Sequence, residues 1–171
     1  MFDAINHICV VTADIERAVR VWADRYGVGP WSVYTFGPSN MRVVIEGTPV
    51  EFGMRVGLAH VGANTPTRME IIQPLDDRSP YAASLAAHGG ANHIHHVRLD
   101  IADHDAAVAQ MHELGLRTKL SGRYAGRDPG TESRATYLST EEDLGFTVEV
   151  AARAPDFPMP EPDFVYPPTA G

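Results

Sequence analysis

Three histidines lie within four positions of one short stretch, "NHIHHV" at residues 92–97. An imidazole is the commonest protein ligand for transition metals, so the spacing decides which of the three could share a site. Side chains alternate across a β-strand. His96 is in step with the polar residues that follow it, whereas His93 and His95 are in step with the apolar ones. The alternation therefore predicts His96 as a metal ligand and the other two as neighbouring or surface residues.

Four predicted strands each place one such ligand on the face that the apolar side chains leave open. The four residues, in chain order, are His7, Glu70, His96 and Glu149. A carboxylate in apolar surroundings is costly unless it is paired with a cation or bound to a metal. One residue of this kind could be a hydrogen-bonded structural residue, but four at matching strand positions indicate a shared metal site. Two imidazoles and two carboxylates suit Co²⁺, Zn²⁺, Ni²⁺, Mn²⁺ or Fe²⁺.

The same predicted face carries three arginines, which are Arg55, Arg68 and Arg98. They are expected either to bind a substrate carboxylate or to balance the charge of the ligand glutamates, and the sequence leaves both roles open. Trp31, together with the aromatic residues that follow it, is a candidate for lining a substrate entrance. Hydrophobic packing beneath a loop is the alternative for these aromatic side chains.

Two stretches of the chain, residues 6–30 and 95–118, repeat the same order of signals at a common offset. Each contains a histidine before a β-branched run, then an aspartate that can cap a helix, then a glycine that can end it. The aspartates and glycines are Asp14, Asp103, Gly27 and Gly115. Further strands are predicted after the helices, at residues 54–61, 67–74, 135–140 and 146–151. This duplication predicts two modules of one kind.

The remaining segments are expected to connect or flank these modules. Ser79 and Pro80 open a short connector helix. Residues 30–52 are expected to form a lid or an irregular hairpin. The proline-rich tail is expected to be disordered or to pack as an extended arm on a neighbouring subunit. The predicted organisation is one domain over 1–151 (module one about 4–74, connector helix 79–90, module two about 93–151) and a tail over 152–171.

The composition restricts the classes of partner. The chain has 171 residues and a formal net charge of −8. That charge does not suit a nucleic-acid or membrane-surface role, because phosphate groups are bound by an excess of Lys and Arg. No apolar run is long enough for a membrane span, and the first residues lack the pattern of a signal peptide. A single cysteine, Cys9, excludes an internal disulfide and suits the reducing cytoplasm. We therefore expect a cytoplasmic protein with a small-molecule substrate.

A duplicated βαβββ unit with one ligand per strand resembles the vicinal oxygen chelate superfamily, which includes glyoxalase I, methylmalonyl-CoA epimerase, extradiol dioxygenases and antibiotic-resistance binding proteins. The resemblance covers about residues 4–151, and "MEIIQPLDDRSPYAASLAAHGGANHIHHVRLDI" is most similar to methylmalonyl-CoA epimerases. It implies an α+β fold in which two tandem βαβββ modules form a curved mixed sheet around a metal-binding cup. It also implies a homodimer, a divalent metal on His7, Glu70, His96 and Glu149, and Glu149 as the base.

The resemblance implies a metal-dependent isomerase or epimerase that removes a proton next to a carbonyl of an acyl-CoA or a small 2-oxo or 2-hydroxy acid. Epimerisation needs a second acid, which these epimerases carry on the strand before "MEII". The matching stretch "MRVGLAHV" has none; Glu46 and Glu51 lie upstream of it, and Cys9 is a weaker candidate. The alternatives are a glyoxalase-I-type lyase, a ring-cleaving dioxygenase and a non-catalytic drug-binding protein. Glu70 does not suit the two-His, one-carboxylate site of a dioxygenase.

Overall fold

The computed structural model describes residues 3–62, 65–124, 133–153 and 159–168, with Arg153 described by its backbone alone. These residues contain eleven strands and four helices. In chain order they are β1 Ala4–Val11, α1 Ile15–Tyr26, β2 Trp31–Phe36, β3 Met41–Ile45, β4 Thr48–Val50, β5 Met54–His60, β6 Arg68–Pro74, α2 Pro80–Ala87, β7 His93–Asp100, α3 His104–Glu113, β8 Thr118–Tyr124, β9 Ser133–Leu138, α4 Glu141–Leu144, β10 Thr147–Arg153 and β11 Phe164–Tyr166. No helix in the described part of the chain is long and apolar enough to cross a membrane.

Both helices of the repeat begin where the sequence predicts. Asp14 accepts a hydrogen bond from the backbone N–H of Arg17 in α1, and Asp103 accepts one from Ala106 in α3, each at 3.0 Å. Each carboxylate thereby satisfies one of the N–H groups that the first turn of a helix leaves unpaired. Gly27 ends α1 with a φ of 67°, a left-handed conformation that a residue with a side chain adopts only at a cost.

The connector helix α2 also forms at the predicted place. The Ser79 hydroxyl accepts a hydrogen bond from the N–H of Ala82 at 3.1 Å. Pro80 occupies the first turn, where its missing N–H leaves no hydrogen bond unmade. A serine cap followed by proline is therefore enough to set where this helix begins.

The chain divides into two compact units that interleave along the sequence. The His96 unit consists of Met1–Asn6, Pro38–Glu51 and His96–Met159, and the His7 unit consists of His7–Gly37, Phe52–His95 and Pro160–Gly171. Neither unit is a continuous half of the chain, since a segment from the first repeat belongs with the second repeat. The organisation as a single domain over 1–151 stays a prediction.

The strands of the His7 unit follow the order β11–β2–β5–β6–β1. β1 and β6 are parallel, and the other neighbouring pairs are antiparallel. Helix α1 covers one face of these strands. The core beneath the helix contains, among others, Ile15, Val19, Trp31, Met69 and Ile71. One face is thereby filled with apolar side chains, and the other is left for the residues that could do chemistry.

The strands of the His96 unit follow the order β7–β10–β9–β8–β3–β4. β7 and β10 are parallel, and the remaining pairs are antiparallel. Helix α3 covers one face, over a core that contains Met111, Leu138, Val148 and Val150. β8 has no counterpart among the predicted strands. The arrangement of parallel pair and covering helix is the same as in the His7 unit, as the sequence repeat predicts.

The segment 30–52 forms regular strands rather than a lid. β2 pairs antiparallel with β5 in the His7 unit, whereas the β3–β4 hairpin pairs with β8 in the His96 unit. The turn between β3 and β4 consists of Glu46 and Gly47, both with positive φ, 46° and 83°. Two-residue hairpin turns of this kind match the twist of the strands. The expected irregular hairpin is therefore a regular one with a tight turn.

Part of the proline-rich tail forms an edge strand on its own chain. β11, Phe164–Tyr166, pairs antiparallel with β2. Pro162 and Pro167 lie just outside it, and because proline has no N–H it cannot extend the ladder. The Tyr166 hydroxyl donates to Asp24 of α1 at 3.0 Å. The expectation of disorder, or of an arm on a neighbouring subunit, is thus wrong for residues 163–166, which pack on β2 and α1.

Replacing Asp14 by alanine should lower the free energy of unfolding by about 1 kcal/mol, because an N–H of the first turn of α1 loses its acceptor. Asp14→Asn should cost less, since the amide oxygen still accepts the bond. Urea denaturation followed by circular dichroism measures both, with Glu113→Ala at the exposed end of α3 as the control. Equal unfolding midpoints for Asp14→Ala and the unchanged protein would contradict this role.

Candidate metal centre

In the His7 unit, β1 uses one face for packing and the other for polar groups. Ile8 and Val10 pack on the core beneath α1, so His7 and Cys9 lie on the opposite face. β6 runs parallel to β1, and the register pairs Cys9 with Glu70. Paired residues of neighbouring strands share a face, which brings Glu70 to the same side as His7.

The side chains of His7 and Glu70 meet on that face. Nε2 of His7 and Oε2 of Glu70 are 3.3 Å apart, and the exposed fractions of the two side chains are 4% and 12%. Glu70 is therefore removed from water and faces an imidazole. This is the face on which the alternation of the sequence places both residues.

The His96 unit repeats this arrangement on β7 and β10. The register pairs His96 with Thr147 and Arg98 with Glu149. Val148, between them on β10, packs on the opposite face in the core beneath α3. His96, Arg98, Thr147 and Glu149 consequently share the face that the helix does not cover.

His96 and Glu149 form the second buried pair. Nε2 of His96 lies 3.0 Å from Oε2 of Glu149, and their side chains are 0% and 6% exposed. Tyr137 on β9 is the register partner of Glu149, and its ring is nearly perpendicular to the His96 imidazole, with centroids 4.9 Å apart. The imidazole is therefore fixed by a carboxylate at its nitrogen and by an aromatic ring at its side.

Each His–Glu pair has the donor atoms and the spacing of two neighbouring ligands on one metal ion. Metal–ligand bonds of about 2.0–2.2 Å place neighbouring donors about 2.9–3.5 Å apart at octahedral or tetrahedral angles. The observed 3.3 and 3.0 Å lie within that range. A hydrogen bond has a similar length, but it neutralises the buried carboxylate only if the imidazole carries a second proton. The residues present therefore fit a divalent ion.

Thr147, which opens β10 beside His96, is held by a glutamate on α4. Its hydroxyl donates to Glu141, which also accepts from Lys119. Burial raises the pKa of Glu141, but the hydrogen bonds from Lys119 and Thr147 outweigh it and leave the pKa below its ordinary value. Glu141 therefore stays ionised at neutral pH and fixes the start of the strand that carries Glu149.

The two other histidines of the "NHIHH" stretch contact the connector helix. His93 Nε2 lies 2.8 Å from the Ser84 hydroxyl, and its Nδ1 lies 3.0 Å from the Ala91 carbonyl oxygen. The ring of His95 packs against Tyr81 with centroids 5.0 Å apart. Both nitrogens of His93 are thus engaged with α2 and the turn after it, which suits the structural role that the alternation gives to these histidines.

The expectation that Arg55 faces the open side of the sheet is wrong. Its Nη1 lies 3.2 Å from Oε1 of Glu16 on α1, so it lies on the helix-covered side. Gly57 shares this side, because a Cβ there would lie 3.4–3.5 Å from side-chain atoms of Trp31, Ile15 and Val19. Large apolar residues were expected to mark the core side of β5. In fact its small residues face the core, because the space above them is taken by α1 and the indole ring.

Trp31 packs in the core beneath α1. It has no exposed surface, and its indole Nε1 donates to the Val28 carbonyl oxygen at 2.6 Å. The sequence leaves two roles open for Trp31, which are lining a substrate entrance and hydrophobic packing. Its position in the core indicates packing. Tyr34 and Phe36 lie on the other side of β2, since their register partners are Val56 and Met54.

The remaining arginines keep to the open faces. Arg68 is the register partner of His7 at the start of β6. Arg98 is the register partner of Glu149 and lies between His96 and the end of β7. Both therefore share a face with one of the His–Glu pairs, unlike Arg55.

The structure places no carboxylate on β5 to serve as the second acid. Glu46 lies in the exposed β3–β4 turn, and Glu51 is exposed before β5. Cys9 is fully buried beside Glu70. Tyr137 is a further residue of this face that the sequence analysis does not predict, although the alternation of "ATYLST" puts it on the opposite face from the core residue Leu138. The same alternation therefore indicates that the Tyr137 hydroxyl group belongs to the open face.

Comparison with known proteins identifies the family. A model of the Glyoxalase/Bleomycin resistance protein/Dioxygenase superfamily matches residues 6–135, which is most of the chain. The chain belongs to this superfamily. No curated protein matches it significantly. The family resemblance read from the sequence is therefore confirmed.

Solved structures show the same fold. Methylmalonyl-CoA epimerase from Mycobacterium tuberculosis is 20% identical with a TM-score of 0.67, and each chain covers 91% of the other. A Streptomyces coelicolor methylmalonyl-CoA epimerase variant in complex with 2-nitronate-propionyl-CoA is 22% identical with a TM-score of 0.65, covering 90% of this chain and 99% of its own. A hypothetical protein from Bacillus halodurans C-125 is 16% identical with a TM-score of 0.62, covering 86% and 92%. These likenesses confirm the mixed α+β fold of the superfamily.

Replacing Arg55 by glutamine should lower the free energy of unfolding by less than about 1 kcal/mol, because an ion pair with an exposed partner contributes little. Metal content should stay unchanged, since Arg55 is on the helix-covered side. Urea denaturation and elemental analysis of the purified variant measure the two. A variant that lost its metal while remaining folded would place Arg55 at the open face after all.

Proposed function

We propose that this chain is a metal-dependent enzyme that removes a proton from the carbon next to a carbonyl group, on an acyl-CoA or a small 2-oxo or 2-hydroxy acid. The observation that carries the proposal is the occurrence of a buried His–Glu contact in each unit, on strands related by the sequence repeat. A purely apolar binding site has no need for buried carboxylates, which are costly to remove from water. The likeness to structures named as methylmalonyl-CoA epimerases supports the same reaction class.

The proposal assigns His7, Glu70, His96 and Glu149 to one divalent ion. Imidazole nitrogens and carboxylate oxygens suit Co²⁺, Zn²⁺, Ni²⁺, Mn²⁺ or Fe²⁺. In support, each unit holds one imidazole nitrogen close to one carboxylate oxygen, at 3.3 Å for His7 and Glu70 and at 3.0 Å for His96 and Glu149. When bound, the ion would polarise a substrate carbonyl as a Lewis acid. Its charge would also offset the cost of burying the two carboxylates.

Glu149 is the residue proposed to accept the proton. Its carboxylate is 6% exposed, and one oxygen contacts His96 while the backbone on either side is paired with β7 and β9. A base held in this way keeps a fixed position relative to the substrate carbon, and few water molecules compete with the substrate for its carboxylate. A freely rotating surface glutamate would have neither property.

The return of the proton decides whether the product is an epimer or a structural isomer. β5 carries no acid, so the proposal rests on proton removal rather than on epimerisation of one named substrate. Cys9 and Tyr137 are two buried side chains, one in each unit, that we propose as candidates to return a proton. The homodimer and the cytoplasmic location expected from the sequence stay predictions.

Replacing His96 or Glu70 by alanine should lower the affinity for the divalent ion by more than about 100-fold, since even altering hydrogen-bond partners of metal ligands costs about 10–100-fold. His93→Ala is the matched control and should bind the ion like the unchanged protein, because His93 is engaged with α2. Titration of metal-stripped protein with Co²⁺ or Zn²⁺, followed by the rise in thermal midpoint, measures this without any substrate. Loss of the ion in His93→Ala but not in His96→Ala would reverse the ligand assignment.

Exchange of the α-proton for deuterium should occur when the metal-loaded protein is incubated in D₂O with methylmalonyl-CoA or a 2-oxo acid, as followed by NMR. Glu149→Gln should slow this exchange at least about 100-fold at saturating metal, because the base is removed. Glu142→Gln, an exposed glutamate on α4, is the control with the same charge change. The absence of exchange across a panel of acyl-CoA and 2-oxo substrates would overturn the proposed reaction.

A further inference from the structure

Arg98 is a largely covered cation on the same face as the His96–Glu149 pair. It lies two residues after His96 on β7 and is the register partner of Glu149 on β10, so all three share one face of the His96 unit. Its side chain is only 13% exposed. A guanidinium at such depth is costly unless acceptors surround it.

The acceptors around Arg98 are too few for its five N–H donors. Its ionic contact within the described residues is Oδ1 of Asp100, 3.8 Å from Nη2, which exceeds hydrogen-bond length. Its Nε is buried and has no hydrogen-bond partner among the residues that the structure describes. The Nε–H group is therefore withdrawn from water without the hydrogen bond that normally accompanies burial.

Asp100 does not complete the environment of Arg98, because its carboxylate is already engaged. Asn6 Nδ2 lies 3.0 and 3.1 Å from the two carboxylate oxygens of Asp100. The side chain of Asp100 is 42% exposed, so solvent screens its attraction for the arginine. Asp100 and Asn6 thus fix the end of β7 but leave the guanidinium with N–H groups to donate.

We infer that Arg98 binds the carboxylate of an anionic substrate whose reacting carbon lies at Glu149. A carboxylate can accept two parallel hydrogen bonds from a guanidinium. A substrate carboxylate would therefore provide the acceptor that Arg98 lacks among the described residues. Arg98 is then a specificity residue, and the substrate class narrows to acyl compounds that carry a free carboxylate. This inference rests on the proposed function, because Glu149 and the metal define where the reaction takes place.

The other role open to Arg98, balancing the charge of Glu149, makes a different prediction. A charge-balancing arginine would affect metal affinity and would be indifferent to the substrate's carboxylate. A carboxylate-binding arginine would leave the metal in place and would discriminate between an acid and its ester. Arg55 cannot take this role, since it is paired with Glu16 on the helix-covered side.

Malonate and monomethyl malonate provide a direct test, because they differ in one negative charge. Calorimetric titration of each into cobalt-loaded protein should show malonate binding at least about tenfold more tightly. Arg98→Gln should lose this preference while retaining cobalt, and Arg98→Lys should keep part of it, because an ammonium retains the charge but not the fork. Arg117→Gln, with the same charge change on the exposed loop after α3, should behave like the unchanged protein.

The possible outcomes separate this inference from the function on which it rests. Failure of the unchanged protein to bind cobalt would overturn the metal proposal, and the role of Arg98 with it. Cobalt binding with an undiminished malonate preference in Arg98→Gln would overturn the role of Arg98 alone. Loss of cobalt in a folded Arg98→Gln would show charge balance instead. If Arg98→Gln fails to fold, an unchanged preference in Arg98→Lys has the same overturning force.

Discussion

A carboxylate that is withdrawn from water must be neutralised, and this requirement governs the part of the molecule where chemistry could occur. Glu70 and Glu149 are both buried, and each faces the Nε2 atom of a histidine at about the distance of a hydrogen bond. A divalent ion bound by the same atoms would offset the cost of burying the carboxylates. The open face of each unit therefore brings a buried carboxylate, an imidazole and an arginine together, and a divalent ion there would add further positive charge.

In each unit, one face of the strands packs against a helix and the other carries the polar residues. The size of the side chains determines which face of a strand packs against the helix. α1 and α3 cover one face, where apolar residues such as Ile71 and Val150 exclude water. β5 shows that apolar character does not by itself identify this face. Gly57 lies beneath the helix because Trp31 needs the volume that a side chain would fill. Packing is a constraint on total volume, so a large residue on one strand makes a small one favourable on the next.

Pairing between distant segments completes the strand order in each unit. β3 and β4 come from the first repeat but add to β8, and β11 comes from the tail but adds to β2. An unpaired edge strand offers free N–H and C=O groups to any other chain, so covering it is useful in itself. Proline at 49 in β4 and at 162 and 167 around β11 limits how far these outer strands can be extended. β4 and β11 are therefore the edge strands, and their prolines hinder pairing with another chain.

The sequence by itself determined the local elements and the polar alternation. These features depend on residues that are close together in the chain, where the backbone fixes the geometry. They include the helix caps at Asp14 and Asp103, the end of α1 at Gly27, and the location of His96 and His93 on opposite faces of β7. The tertiary structure alone decided which side of β5 packs against α1 and which strand the β3–β4 hairpin pairs with. It also decided that Arg98 has few hydrogen-bond acceptors nearby, whereas Arg55 forms an ion pair. These are questions of volume and of contacts between residues far apart in the chain. No local pattern encodes them, because each depends on what another segment has already filled.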